Sequence, residues 1–138
     1  VDFPGADWAD PGSYQTAGLL LNVLKRLYNS AYDVSVVFGP SHAPEVVEKA
    51  RLRGEYDCVL IDANHSYEAV KRDFELYSPM GKMIAFHDIA APEGLRSTDE
   101  VVIGVPKFWN EIKAQYEHYE FITPGSPMGI GVIFKEAA

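Results

Sequence analysis

Two runs of residues, Tyr56–Ile61 and 82–86, are short, apolar and almost uncharged. Such runs predict strands buried on both faces of a parallel sheet. Polar side chains follow each run at once: Asp62, Asn64 and His65 after the first, His87 and Asp88 after the second. Between the runs, Tyr67, Val70, Phe74 and Tyr77 recur at spacings of three and four, which predicts a helix over 66–77 that Pro79 and Gly81 terminate. Strand, helix and strand in that order make a parallel pair, so the two polar clusters belong at one sheet edge. In open α/β sheets the carboxyl edge is where ligands bind, and an acid and an imidazole from one strand should there face a His-Asp pair from its neighbour.

The same alternation extends in both directions. Leu19, Leu20, Val23, Leu24 and Leu27 form one apolar stripe, predicting an amphipathic helix over 13–29. A β-branched strand over 34–38 is closed by Gly39 and Pro40. Pro44 then suits the first turn of a helix that buries Val46, Val47 and Ala50 and runs to Gly54. Residues 90–104 show no sustained period, and a loop of that length in a compact domain is usually functional or mobile. Pro106 opens a last helix striped by Phe108 or Trp109, Ile112 and Tyr116. Two β runs, 119–123 and Ile130–Phe134, separated by the turn residues 124–127, predict a hairpin-like antiparallel pair at one end of the sheet. No repeat, low-complexity tract or linker interrupts this pattern, so residues 1–138 are expected to form one α/β domain.

Composition narrows the partners. With 138 residues and a formal net charge of -8, the chain lacks the basic face that nucleic acid requires. No apolar run approaches the roughly 20 residues that cross a bilayer, and no signal peptide is expected. The single cysteine, Cys58, lies in a predicted strand with no partner, which points to a reducing cytoplasm and a structural role.

The segments 56–77 and 81–89, with their Asp-x-x-His and His-Asp strand ends, resemble the carboxyl-terminal half of class I S-adenosylmethionine-dependent methyltransferases. They are most similar to the bacterial branch that includes cephalosporin-hydroxylase-like and sugar or macrolide O-methyltransferases. The run 104–109 also recurs there. The resemblance implies a Rossmann-like, mostly parallel sheet flanked by helices, with the last strand inserted antiparallel beside the 82–86 strand. It also implies methyl transfer from S-adenosylmethionine to the hydroxyl of a small molecule or sugar, assisted by a divalent metal such as Mg²⁺, Mn²⁺ or Zn²⁺. Such folds begin with a strand and a glycine-rich turn, which this sequence lacks. Its one Gly-x-Gly, 129–131, precedes a strand and not a helix. The chain is therefore expected to be a methyltransferase-like domain without its first βα unit.

Carried onto this sequence, the resemblance assigns Asp2 to the cofactor ribose, Ser41 and His42 to adenine, and Asp62, His87 and Asp88 to one divalent cation. Asp62 stands at the cofactor as well as at the metal. His65, three residues after Asp62, would be the general base, as an imidazole takes a proton near neutral pH. Simpler roles stand beside these: Ser41 and His42 as a helix start, His65 as a partner of Asp62, Asn64 as a cap, His118 as a surface residue. A metal-dependent hydrolase could use the same acid and imidazole cluster to activate water, and a truncated, non-catalytic domain is the third reading. An exposed sheet edge left by the missing unit would favour a homodimer.

Overall fold

The computed structural model describes residues 37–97, 100–126 and 128–135. Helix α1 (Pro44–Arg51) precedes strand β1 (Tyr56–Ile61); helix α2 (Tyr67–Tyr77) links β1 to β2 (Gly81–His87); helix α3 (Val105–Ile112) leads to β3 (Glu117–Phe121) and β4 (Ile130–Phe134). The four strands form one open sheet in the order β1-β2-β4-β3. The chain is thus α/β, with β1 and β2 parallel and β4 inserted antiparallel between β2 and β3. That insertion matches the expected placement of the last strand. One parallel pair and two antiparallel pairs make the described sheet mixed, not mostly parallel. The predicted helix over 13–29 and positions 34–36 of the predicted strand lie outside the described residues, while Val37 and Phe38 belong to no regular element.

Local chemistry explains the element boundaries. The Ser66 side chain caps α2 by accepting from the Ala69 amide at 3.3 Å, and Pro79 carries the chain through a single 3₁₀ turn into β2. Asn64 does not cap the helix itself; its Oδ1 accepts from the Ser66 amide at 2.9 Å and shapes the turn before it. Pro106 occupies the first turn of α3, where its missing N–H costs nothing.

Register decides which side chains meet. Pairing Val59 with Ile84, Ile61 with Phe86 and Ile84 with Ile133 puts these five residues on one sheet face. There Val70 of α2 and Phe108, Trp109 and Ile112 of α3 close over them. Phe86 lies at the centre, its ring centroid 5.7 Å from Trp109 and 6.0 Å from Phe108. The sequence left either Phe108 or Trp109 for the buried stripe, and both are buried. Gly131 faces Phe86 across the ladder, and a Cβ there would meet the Trp109 indole at 2.7 Å. The glycine of the Gly-x-Gly run is therefore the bare floor on which a tryptophan rests.

The opposite face overturns one expectation. Leu60 is 57% exposed, and Cys58, Tyr119, Phe121 and Ile130 are exposed too. Strand β1 was expected to be buried on both faces, yet it is the edge of the described sheet. The described helices α2 and α3 cover only the Ile84–Phe86 side. Among the described residues no helix is long and apolar enough to cross a membrane.

Candidate metal centre

Parallel pairing of Ile61 with Phe86 brings the carboxyl ends of β1 and β2 side by side. Asp62 and His65 leave the first strand there, and His87 and Asp88 leave the second. His65 Nε2 lies 3.3 Å from Asp62 Oδ1, and His65 Nδ1 lies 3.0 Å from Asp88 Oδ2. His87 Nδ1 is 3.2 Å from Asp62 Oδ1 and 3.0 Å from Asp88 Oδ1. Four side chains that the sequence placed at two strand ends therefore come together in one cluster.

Asp88 is held inward by its backbone. Its φ of 65° is left-handed, a conformation that aspartate tolerates better than most residues, and it leaves the carboxylate 1% exposed. The Ala91 amide donates to its carbonyl at 3.2 Å and the Ile89 amide to the Gly129 carbonyl at 3.3 Å, fixing the chain on both sides of the bend. A carboxylate this buried is costly unless positive charge or hydrogen bonds compensate it.

Compensation within the cluster is incomplete. His65 Nε2, His87 Nδ1 and Asp88 Oδ1 are buried and have no hydrogen-bond partner, although other polar atoms stand 3.0–3.3 Å away. Close approach without hydrogen-bond direction is what ligand atoms show when they face a common centre. One ligand atom each from Asp62, His65 and His87 lies within 4.8 Å of the others. The donor set of carboxylate and imidazole is of a kind that holds a divalent cation.

The segment 90–104, expected to be a functional or mobile loop, is tied to this centre. The Ile103 amide donates to Leu95 at 2.9 Å, the Ser97 amide to Val101 at 2.9 Å, and Arg96 and Val102 form an antiparallel bridge. The Arg96 guanidinium donates to the Glu100 carbonyl, and Ile89, Ala91 and Ile103 are buried in the core. The Gly104 amide then donates to the His65 carbonyl at 2.8 Å. A Cβ on Gly104 would sit 2.6 Å from Tyr67 Cβ and 2.7 Å from Tyr67 Cα, so only glycine lets the segment close on the turn that carries His65. Gly104→Ala is accordingly expected to cost about 1–3 kcal/mol by overpacking and to displace His65. Urea unfolding with cation titration checks this: a variant with unchanged stability and unchanged cation affinity would remove the coupling.

The other assigned residues lie elsewhere. Ser41 and His42 make their contacts with α2 and not with the strand-end cluster. His42 Nε2 stands 3.1 Å from Asp73 Oδ1, and the Tyr77 hydroxyl donates to the Ser41 carbonyl at 2.6 Å. Asp2 lies outside the described residues. His118 is exposed, its ring edge-on to Trp109 at 5.9 Å and its Nδ1 3.1 Å from the Tyr116 carbonyl.

Asp73 is the site feature that sequence reasoning missed. It is 3% exposed on α2, and burial raises its carboxyl above the ordinary 3.8, against the opposing pull of the Ser41 side chain and of His42. Its position three residues after Val70, beside the apolar stripe, was the available signal. A raised folded-state value means that the native protein binds the proton more tightly than the unfolded chain. The contribution of Asp73 to stability is therefore full below pH 3.8 and is lost as pH rises through the raised value. Calorimetric melting across this range should show Asp73→Asn gaining on the parent as pH rises through the raised value; a difference between the two that does not change with pH would contradict the assignment.

Comparison of the chain with protein-family models, with curated proteins and with solved structures yields no match.

Proposed function

We propose that this chain carries the cation- and hydroxyl-binding part of an S-adenosylmethionine-dependent O-methyltransferase acting on a small molecule or sugar. The observation that carries the proposal is the convergence of Asp62, His65, His87 and Asp88 at one sheet edge with three of their polar atoms orphaned. The resemblance of segments 56–77 and 81–89 supplies the reaction class, and the insertion of β4 beside β2 accords with it. A divalent cation bound by this cluster supplies charge that lowers the pKa of a substrate hydroxyl.

The rest is positioning by the chain itself. Asp62 and His87 offer ligand atoms from two rigid strand ends, and Asp88 is locked behind them by its left-handed backbone. The Gly104 amide anchors the His65 turn through its hydrogen bond to the His65 carbonyl. Alignment of a hydroxyl with a methyl donor is worth several orders of magnitude in such displacements, so a rigid edge is an advantage.

One observation favours a second reading. Two imidazoles and one carboxylate are the donor types of catalytic zinc in hydrolases. The experiment that separates the two is calorimetric titration with S-adenosylmethionine in the presence of Mn²⁺, followed by assay of S-adenosylhomocysteine release with sugar and phenolic hydroxyl acceptors. Binding and release support the methyltransferase. Absence of both, with Zn²⁺-dependent hydrolysis of nitrophenyl esters or phosphates, would replace it by the hydrolase.

A further inference from the structure

We infer that His65 is a cation ligand and not the catalytic base, so that Asp62, His65 and His87 form a two-imidazole, one-carboxylate set selecting a transition cation over Mg²⁺ or Ca²⁺. The inference rests on the proposed cation site and deepens it: it names the ion class and reassigns two of the four residues.

The orientation of His65 is the first argument. A base must present a free nitrogen to the substrate oxygen. In His65, Nε2 is buried 3.3 Å from Asp62 Oδ1, and Nδ1 stands 3.0 Å from Asp88 Oδ2. Carboxylate behind imidazole is the arrangement that fixes a metal-ligating histidine. With Asp88 Oδ2 3.0 Å from Nδ1, the buried Nε2 is the nitrogen left to face the cluster centre.

The place of Asp88 is the second. It was expected to be a ligand, yet it touches both imidazoles, Oδ2 to His65 and Oδ1 to His87, from a fully buried position. Asp62, His65 and His87 each offer one atom to a set within 4.8 Å of one another, and Asp88 stands outside that set, against the far nitrogen of His65. The two histidine rings are tilted by 54° at 6.3 Å, too far apart to stack and oriented as separate ligands.

Ion preference follows from donor chemistry. Carboxylates and water suit Mg²⁺, Ca²⁺ and Mn²⁺, while imidazoles suit Zn²⁺, Fe²⁺ and Co²⁺. Two carboxylates with one imidazole would discriminate weakly. Two imidazoles with one carboxylate discriminate strongly.

Cobalt(II) is the probe that tests this on the unmodified protein. Proton NMR of the Co²⁺-loaded chain should show two strongly shifted, exchangeable imidazole N–H signals, one from each coordinated ring. Competition should show Mg²⁺ displacing Co²⁺ only at concentrations at least about 100-fold higher. His65→Ala should remove one of the two signals and weaken Co²⁺ about tenfold or more, while His118→Ala leaves both signals in place. If His65→Ala does not fold, the two-signal spectrum and the competition on the parent protein still decide. A single shifted signal, or Mg²⁺ competing on equal terms, overturns the assignment of His65 while leaving a cation site standing. No binding of Co²⁺ or Mg²⁺ overturns both.

Discussion

Replacing Asp62 by Ala should abolish the stabilisation of this protein by divalent cations. A ligand present at a hundredfold its dissociation constant stabilises the native state by about 3 kcal/mol, an increment that is read directly as a rise in melting temperature. Asp62 Oδ1 contacts both His65 Nε2 and His87 Nδ1, at 3.3 and 3.2 Å, so its removal opens the centre of the cluster and not its rim. The loss should be selective. Asp62 is partly exposed and contributes nothing to the apolar core, so the variant without added cation should melt within a degree or two of the parent. A variant that keeps the cation-dependent rise would place the ion elsewhere.

Trp109→Ala should cause the largest loss of stability of any substitution considered, about 3–5 kcal/mol. Trp109 is 1% exposed, packs on Phe86 and fills the space above Gly131. Its Nε1 also donates to Glu120 Oε1 at 2.6 Å. Glu120 keeps Lys113 at 2.7 Å, the larger cause of its lowered carboxyl value, so the carboxylate is not abandoned and the cost is mainly the cavity. The indole joins α3 to both β3 and β4, and a domain typically has only about 5–15 kcal/mol in hand. Urea denaturation should show the midpoint falling sharply, with Trp109→Phe recovering part of the loss; a shift under about 1 kcal/mol would mean that the cavity collapses without cost.

The legible part of this chain was the part governed by periodicity. The alternation of 3.6-residue and two-residue patterns located α2, β2, β4 and the start of α3 to within a residue or two, because each buries a continuous stripe against the same core, while the stripe drawn on to Tyr116 overran the end of α3 at Ile112. The strand ends announced themselves through an abrupt change from apolar to polar, and that change placed Asp62, His65, His87 and Asp88 together before any distance was known. What periodicity cannot carry is direction. Whether His65 turns to solvent or to Asp62, and whether Asp88 faces the centre or stands behind it, depends on one left-handed φ and on a hydrogen bond from Gly104, a residue 39 positions after His65 in the sequence.

Segment 90–104 was illegible for a related reason. Its described residues are held by two dispersed anchors, Ala91 and Ile103, and by cross-bridge hydrogen bonds, none of which leaves a repeating pattern. The burial of β1 was overread because an apolar composition states what a strand can bury, not what lies against it. Leu60 is as apolar as Ile61, yet the first is 57% exposed and the second 7%.

The account stands on a cation at the shared end of β1 and β2, and anomalous diffraction from crystals grown with Co²⁺ tests it most directly. The predicted result is a single strong peak about 2.0–2.3 Å from Asp62 Oδ1, His65 Nε2 and His87 Nδ1, with Asp88 beyond bonding distance. A map with no peak at this edge, or a peak held by other residues while the four side chains hydrogen-bond to one another, would contradict it.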